Sequence, residues 1–204
     1  MKKSQLIFTI MEAVRGSAAT DDSAKFVNPQ DMAFQIEMAY STAVINFFSD
    51  SQRLRDYDLD YFSKSYVSTV KEDVDAGVLY VDLPGQPIGL PGGQGIRSVR
   101  PKNSYVQLVR VSESEWMSLR NLEAASCSPW PFCFPDLYNK RIVVQSNRPE
   151  YKLMDELVVK IIPKFSEYGK DDEINSPDGD YNIAAAVLNI LGRRPTDNSN
   201  DGGR

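Results

Sequence analysis

The chain contains no histidine and only two cysteines, Cys127 and Cys133, among its 204 residues. Without histidine, the commonest general base and the commonest metal ligand are both missing. No serine–histidine nucleophile can be assembled. Two thiols alone cannot complete an ordinary structural zinc site within one chain. A disulfide across Cys127-Ser128-Pro129-Trp130-Pro131-Phe132-Cys133 is sterically conceivable, but a reducing cytoplasm favours free, partly buried thiols. No run approaches ~18 apolar residues, so no membrane span is expected. A basic block is absent as well. A net charge of −5 and a pI near 4.9 make the chain a poor holder of DNA phosphates. The opening Met1-Lys2-Lys3 and its apolar run resemble a secretion signal, but Glu12 and Arg15 interrupt it where cleavage would fall. An amphipathic helix fits that segment better.

What is present is ordinary for a globular protein: 42% apolar and 25% charged residues. The length suits a single core, or a core carrying a protruding insertion. Ten of the aromatics are tyrosine, whose apolar body and polar tip suit interfaces as well as cores.

Helical periodicity dominates the ends of the chain. Leu6, Ile10, Ala13 and Val14 make one stripe over Ser4 to Val14, which Gly16 and Ser17 can end. After a polar connector, Asn28 can cap a second helix with Pro29 at its first position. Met32, Ile36, Ala39, Tyr40, Ala43, Val44 and Phe47 then repeat at helical spacing. Core packing of this helix against the first accounts for the pattern. A last helix from about Asp180 carries Ile183, Val187, Leu188 and Leu191, with Gly192 as its C-cap. Residues 50–75 read as part helix, part extended. Asp56, Asp58 and Asp60 alternate there, but the glycine and further oxygen ligands of a Ca²⁺ loop are missing, so a solvated face is the reading.

The middle of the chain reads as strands. Val78 to Leu83 and Tyr105 to Val111 are strand-like, and Leu157 to Pro163 is a strand closed by its proline. Ser112 or Ser114 can cap a short helix containing Trp116, Leu119 and Leu122. Residues 137–144 suggest a hairpin with Asn139-Lys140 near its tip. Between Leu83 and Pro101 the chain is dense in Pro and Gly, yet carries Pro87, Ile88, Leu90, Ile96, Arg97, Val99 and Arg100. Apolar residues on such a scaffold suit an extended arm laid against a neighbouring subunit, and these seven are the candidate interface residues. Deleting that arm should then leave a folded, soluble monomer.

The fold class expected is α+β: a helical body, made of an N-terminal helix pair and a C-terminal helix, with an inserted antiparallel β-rich region. Residues 1–75 and 180–194 form the body, 76–170 the insertion with its arm, and 195–204 a flexible tail.

No catalytic reading finds an anchor. Gly92-Gly93-Gln94-Gly95 could cradle phosphate, but no helical stripe or Lys-Ser/Thr pair follows it. Asp136 with Glu150 and Lys152 superficially matches a metal-dependent nuclease, yet the acid and lysine follow Arg148-Pro149, not a strand start. Trp116 and Trp130 could face a carbohydrate on a sheet, though Trp130 between two prolines suits a packed turn. No metal, no cofactor and no enzymatic activity are expected.

Four segments in order resemble the ring, or head–tail connector, proteins of the crAss-like podoviruses that infect Bacteroidetes. They are the opening M-K-K-S-Q-L-I-F-T-I-M-E-A-V-R with Asp21-Asp22-Ser23, the long amphipathic helix, Y-V-D-L-P-G-Q-P-I-G-L-P-G-G-Q-G-I-R-S-V-R-P, and V-V-K-I-I-P-K-F-S-E-Y-G-K-D-D-E before the last helix. The resemblance spans residues 1–191. It implies a structural virion protein at the head–tail junction, built in the host cytoplasm as a dodecameric ring. Its partners would be copies of itself, the portal protein and adjacent ring or tail proteins. DNA would pass through the lumen without specific binding. A tail hub or another tail component is the alternative within the same biology, and a metal-dependent nuclease the remote one.

Overall fold

In a computed structural model, residues 1–17, 29–54, 59–119, 131–145, 155–174 and 183–192 are described. The fold is α+β, with four helices and two sheets among those residues. The chain divides into a helical unit, residues 1–62 and 164–204, and a strand unit, residues 63–163. The sequence reading placed this division at 75 and 170. Residues 63–75 belong to the strand unit because β1 (Lys64–Thr69) and β2 (Lys71–Asp73) find their pairing partners there.

The helical unit contains α1 (Lys3–Ser17), α2 (Pro29–Leu54) and α4 (Ile183–Gly192). All seven apolar residues of the α2 stripe are buried, as the 3.6-residue period requires, and Phe48 joins them. Leu6 and Ile10 bury one face of α1, while Ala13 is exposed and drops out of the expected stripe. Both α1 and α2 pack on α4. Ile183, Ala184 and Val187 give α4 a small, fully buried face that both can approach closely. Aromatic contacts tie the return segment in. The Tyr40 ring lies 5.2 Å from that of Phe165 and meets Tyr168 edge-on at 6.3 Å. Tyr168 donates its hydroxyl to the Phe62 carbonyl at 3.3 Å. Lys3 donates to the Tyr168 carbonyl at 2.7 Å with its ammonium over the Phe165 ring.

The strand unit is two sheets face to face. β8 (Glu156–Ile161) is the central strand of the smaller sheet, flanked by β1 and β4 (Ile96–Pro101), both antiparallel to it. The larger sheet has the order β2, β3 (Val78–Asp82), β7 (Arg141–Gln145), β6 (Phe132–Asp136), β5 (Val109–Arg110). Leu157, Val159 and Ile161 alternate inward from β8 and meet Val81, Ile142, Val144 and Cys133 of the larger sheet. This period-2 pattern, apolar inward and polar outward, defines the core.

Several expectations for this unit are corrected. Pairing is antiparallel except between β5 and β6, which run parallel. The chain passes through α3 (Glu113–Leu119) between them, the crossover that parallel neighbours need. The expected strand over 105–111 shrinks to β5, and Tyr105 stands almost wholly exposed. A hairpin forms with Asn139-Lys140 in its turn as expected, and Lys140 has φ 52°. Its strands are β6 and β7, so Leu137 and Tyr138 belong to the turn, and the first strand lies earlier than the 137–144 reading placed it. Ser112 caps α3. Its hydroxyl accepts the Glu115 N–H at 3.3 Å, and Glu115 accepts the Ser112 N–H at 2.7 Å, a reciprocal capping box.

Asn28, Asp56, Asp58, Leu122, Cys127, Trp130, Glu150, Lys152 and the 195–204 tail lie outside the described residues.

Candidate functional site

The Pro/Gly arm is the first surface to locate, because the sequence assigned it to an interface. Ile88, Leu90, Ile96 and Val99 are buried inside their own subunit, the last two within the core between the sheets. The assignment of these four to a neighbour is therefore corrected: they present almost no area to one. Pro87 is half-buried and bridges to Pro163. Arg97 and Arg100 are also half-buried; Arg97 donates to Gln94 Oε1 at 3.0 Å and Arg100 to the Ser104 carbonyl at 3.1 Å.

The backbone explains this burial. The Ile88 N–H reaches the Ile162 carbonyl at 2.9 Å, and the Ile162 N–H reaches the Gly95 carbonyl at 2.7 Å. A register shift between Ile96 and Ser98 lets Ile96 and Val99, three apart, both face inward. Between these anchors Pro91–Gly93 makes a tight turn, with Gly92 at φ 62° and Gly93 at φ 67°, where only glycine is unstrained. The turn presents carbonyls, not amides. Arg110 donates to Gly92 O at 2.9 Å, Gly93 O at 2.7 Å and Ile96 O at 2.8 Å. A loop whose oxygens converge on a guanidinium is the opposite of a phosphate cradle.

Arg110 is thus the clasp of the arm. Replacing it with Met keeps the stem and removes three charge-assisted bonds. The expected loss is roughly 2–4 kcal/mol of unfolding free energy, discounted for the exposed side of the site. Urea unfolding followed by tryptophan fluorescence checks it; an unchanged midpoint would contradict the clasp.

A groove of about 510 Å³ lies on the outer face of the larger sheet. Phe134 and Val143 floor it, Trp116 and Met117 wall it from α3, and Tyr138 and Arg141 stand at the hairpin side. Trp116 stacks at 6.2 Å on Phe134 and is itself buried. An ion cluster runs along the rim. Asp136 accepts from Arg141 Nε at 3.1 Å and Asn139 Nδ2 at 2.7 Å, and Arg141 donates to Asp73 at 2.9 Å. The Arg141 guanidinium also covers the Tyr80 ring at 5.4 Å. Asp136, the acid of the nuclease-like pattern, is thus occupied by a guanidinium. Among the described residues, no group of three or more His, Cys, Asp or Glu is arranged to hold a metal. The Cys133 thiol is free and buried, and burial pushes it up to about 12.

The cluster has a consequence for acid stability. The bond from the Ala76 N–H, and then Arg141, hold the Asp73 carboxyl below the usual range. Burial pushes Asp136 up, but bonds from Asn139 and Arg141 outweigh it and hold it low. Folded values below the unfolded ~3.9 contribute stability above that pH and lose it as pH falls through the folded values. The urea midpoint should therefore fall from pH 5 towards pH 2 more steeply in the wild type than in Arg141→Met. Parallel slopes would contradict the assignment.

The third surface was missed in the sequence. Phe34, 65% exposed, and Met38, 55% exposed, stand with the partly exposed Ile45 on the side of α2 opposite its buried stripe. Thr42 and Ser49 lie among them, and their hydroxyls are already spent on the Met38 carbonyl at 2.9 Å and the Ile45 carbonyl at 3.1 Å. On α1, Phe8 is 65% exposed although Leu6 and Ile10 beside it are fully buried. The signal was available: Phe34, Met38 and Ile45 share a helical stripe of their own.

Among the described residues, no helix is long and apolar enough to cross a membrane. No protein-family model matches the chain, and no curated protein sequence matches it.

Proposed function

We propose that the chain is a structural subunit of a tailed-phage virion, which forms an oligomeric ring in the head–tail connector, between portal and tail and around the DNA passage. The observation that carries this reading is the second apolar stripe of α2. One stripe is consumed by the helical unit's core; the other, Phe34, Met38 and Ile45, is bare. Exposed apolar area concentrated on one helix face marks a protein contact more often than chance scatter. The order of sequence segments described above supplies the phage context and the ring. A connector works by fitting surfaces, so its functional residues are those that meet copies and stacked neighbours.

The test is the protein's location in intact particles. Cryo-electron microscopy of purified virions should find this chain as a symmetric ring at the portal vertex. Its absence from purified particles would end the proposal, as would metal-dependent DNA cleavage by the isolated chain that is lost in Asp136→Ala.

A further inference from the structure

We propose that the groove on the outer face of the larger sheet is a peptide site. It takes an extended segment of another protein that carries an arginine or lysine beside an apolar side chain. This goes beyond the ring reading and does not depend on it, because every residue lining the groove lies within the strand unit.

The first observation is a donor with nothing to bond. Trp116 is 4% exposed, yet its indole N–H has no acceptor among the described residues. A buried indole N–H ordinarily finds a partner, because stripping it of water without one is costly. Among the described residues no fully buried side-chain nitrogen or oxygen lacks a partner, so this N–H keeps a little accessible surface. Trp116 lines the groove, and that surface opens into it. A carbonyl oxygen seated there completes the bond.

The second observation is charge. Glu113, on the α3 side of the groove, pairs with no cation among the described residues. On the hairpin side, Asp136 and Asp73 share the single guanidinium of Arg141. Three carboxylates around one guanidinium leave two negative charges uncompensated. Lys140, next along the hairpin, is exposed and does not line the groove. Phosphate, nucleic acid and acidic peptides are repelled by such a rim, and a cation is drawn to it.

The third observation is the shape and its aromatics. The groove's 510 Å³ falls within the ~300–1,000 Å³ usual for ligand sites. Tyr138, 95% exposed on the hairpin turn, offers an open ring to a cation. Phe134 and the exposed Met117 offer contact to an apolar side chain. A neutral sugar would use the ring and the indole N–H and leave both charges unanswered. A short stretch of basic and apolar peptide answers all three features at once: its carbonyl meets Trp116, its cation meets Glu113 over Tyr138, and its apolar neighbour meets Phe134.

The experiment uses the full chain on an array of random blocked hexapeptides, with an array of neutral oligosaccharides beside it. Bound peptides should carry arginine or lysine next to leucine, methionine or an aromatic residue. Glu113→Gln and Tyr138→Ala change exposed side chains, so their thermal melts should match the wild type. Each should weaken those peptides roughly tenfold, and added sodium chloride should weaken the wild-type complex in the same direction. The Trp116 indole proton resonance, assigned by its absence from Trp116→Phe, should move downfield when a selected peptide binds. Peptides enriched in acids, or none enriched at all, would overturn the proposal. So would full affinity in Glu113→Gln, or an indole resonance that moves only with an oligosaccharide. Self-association of the chain that Tyr138→Ala abolishes would assign the groove to a second copy and overturn it too.

Discussion

Excising residues 83–101 will leave the strand unit unfolded, and no soluble subunit will survive with its sheets intact. The deletion removes β4, and β8 loses one of its two partners. It also removes Ile88, Leu90, Ile96 and Val99 from buried positions. At roughly 1.5–3 kcal/mol per buried apolar side chain, the four together rival the whole 5–15 kcal/mol stability of an ordinary domain. Trp116 is buried in this unit, so its fluorescence reports on the unit's unfolding. The expected result is a red-shifted emission and no cooperative urea transition by that probe. A deletion variant with a wild-type transition would show that the arm is an appendage after all.

Gly95→Ala should be nearly as damaging, from a single methyl group. A Cβ at Gly95 would lie 2.1 Å from the Ile88 carbonyl oxygen and 3.2 Å from Pro87 Cβ. The opposing atom is backbone and has little room to yield. Ile88 and Gly95 are both hydrogen-bonded to the two sides of Ile162, so separating them breaks one of those bonds. Overpacking with a lost buried hydrogen bond should cost about 3 kcal/mol or more. Gly89→Ala supplies the control, since a Cβ there meets nothing within 4 Å. The two variants differ only in where one methyl sits on the same arm. Equal midpoints in urea would rule out the close approach as the cause.

The helical part of the fold was legible because its information is local. The stripe from Met32 to Phe47 repeats at the helical period, and every member is buried. The capping serine and the turn at Asn139-Lys140 were legible for the same reason. The arm was misjudged because its burial is decided elsewhere in the chain. Pro and Gly at 84–95 signal irregular backbone, which usually means exposure. Here β8, some sixty residues on, supplies the pairing, and Arg110 supplies the clasp. Ile96 and Val99 carry no alternating pattern, since the register shift between them is what turns both inward. The bare faces of the helices were passed over for a different reason. A search for the stripe that makes a core stops when it finds one, and Phe8, Phe34 and Met38 fall outside it. The groove joins Trp116, Phe134 and Arg141 from three separate elements, a neighbourhood that no local pattern announces.

The position of β8 at the centre of the smaller sheet governs the order in which a nascent chain can be completed. β1 and β4 leave the ribosome long before residues 156–161, and neither pairs with the other in the finished sheet. Until β8 emerges, both wait as unmatched edges, the kind of template on which chains cross-pair into aggregates. Translation pauses or heat shock during that interval should send this protein into inclusion bodies, and holding chaperones should rescue it most when they act before residues 156–161 emerge.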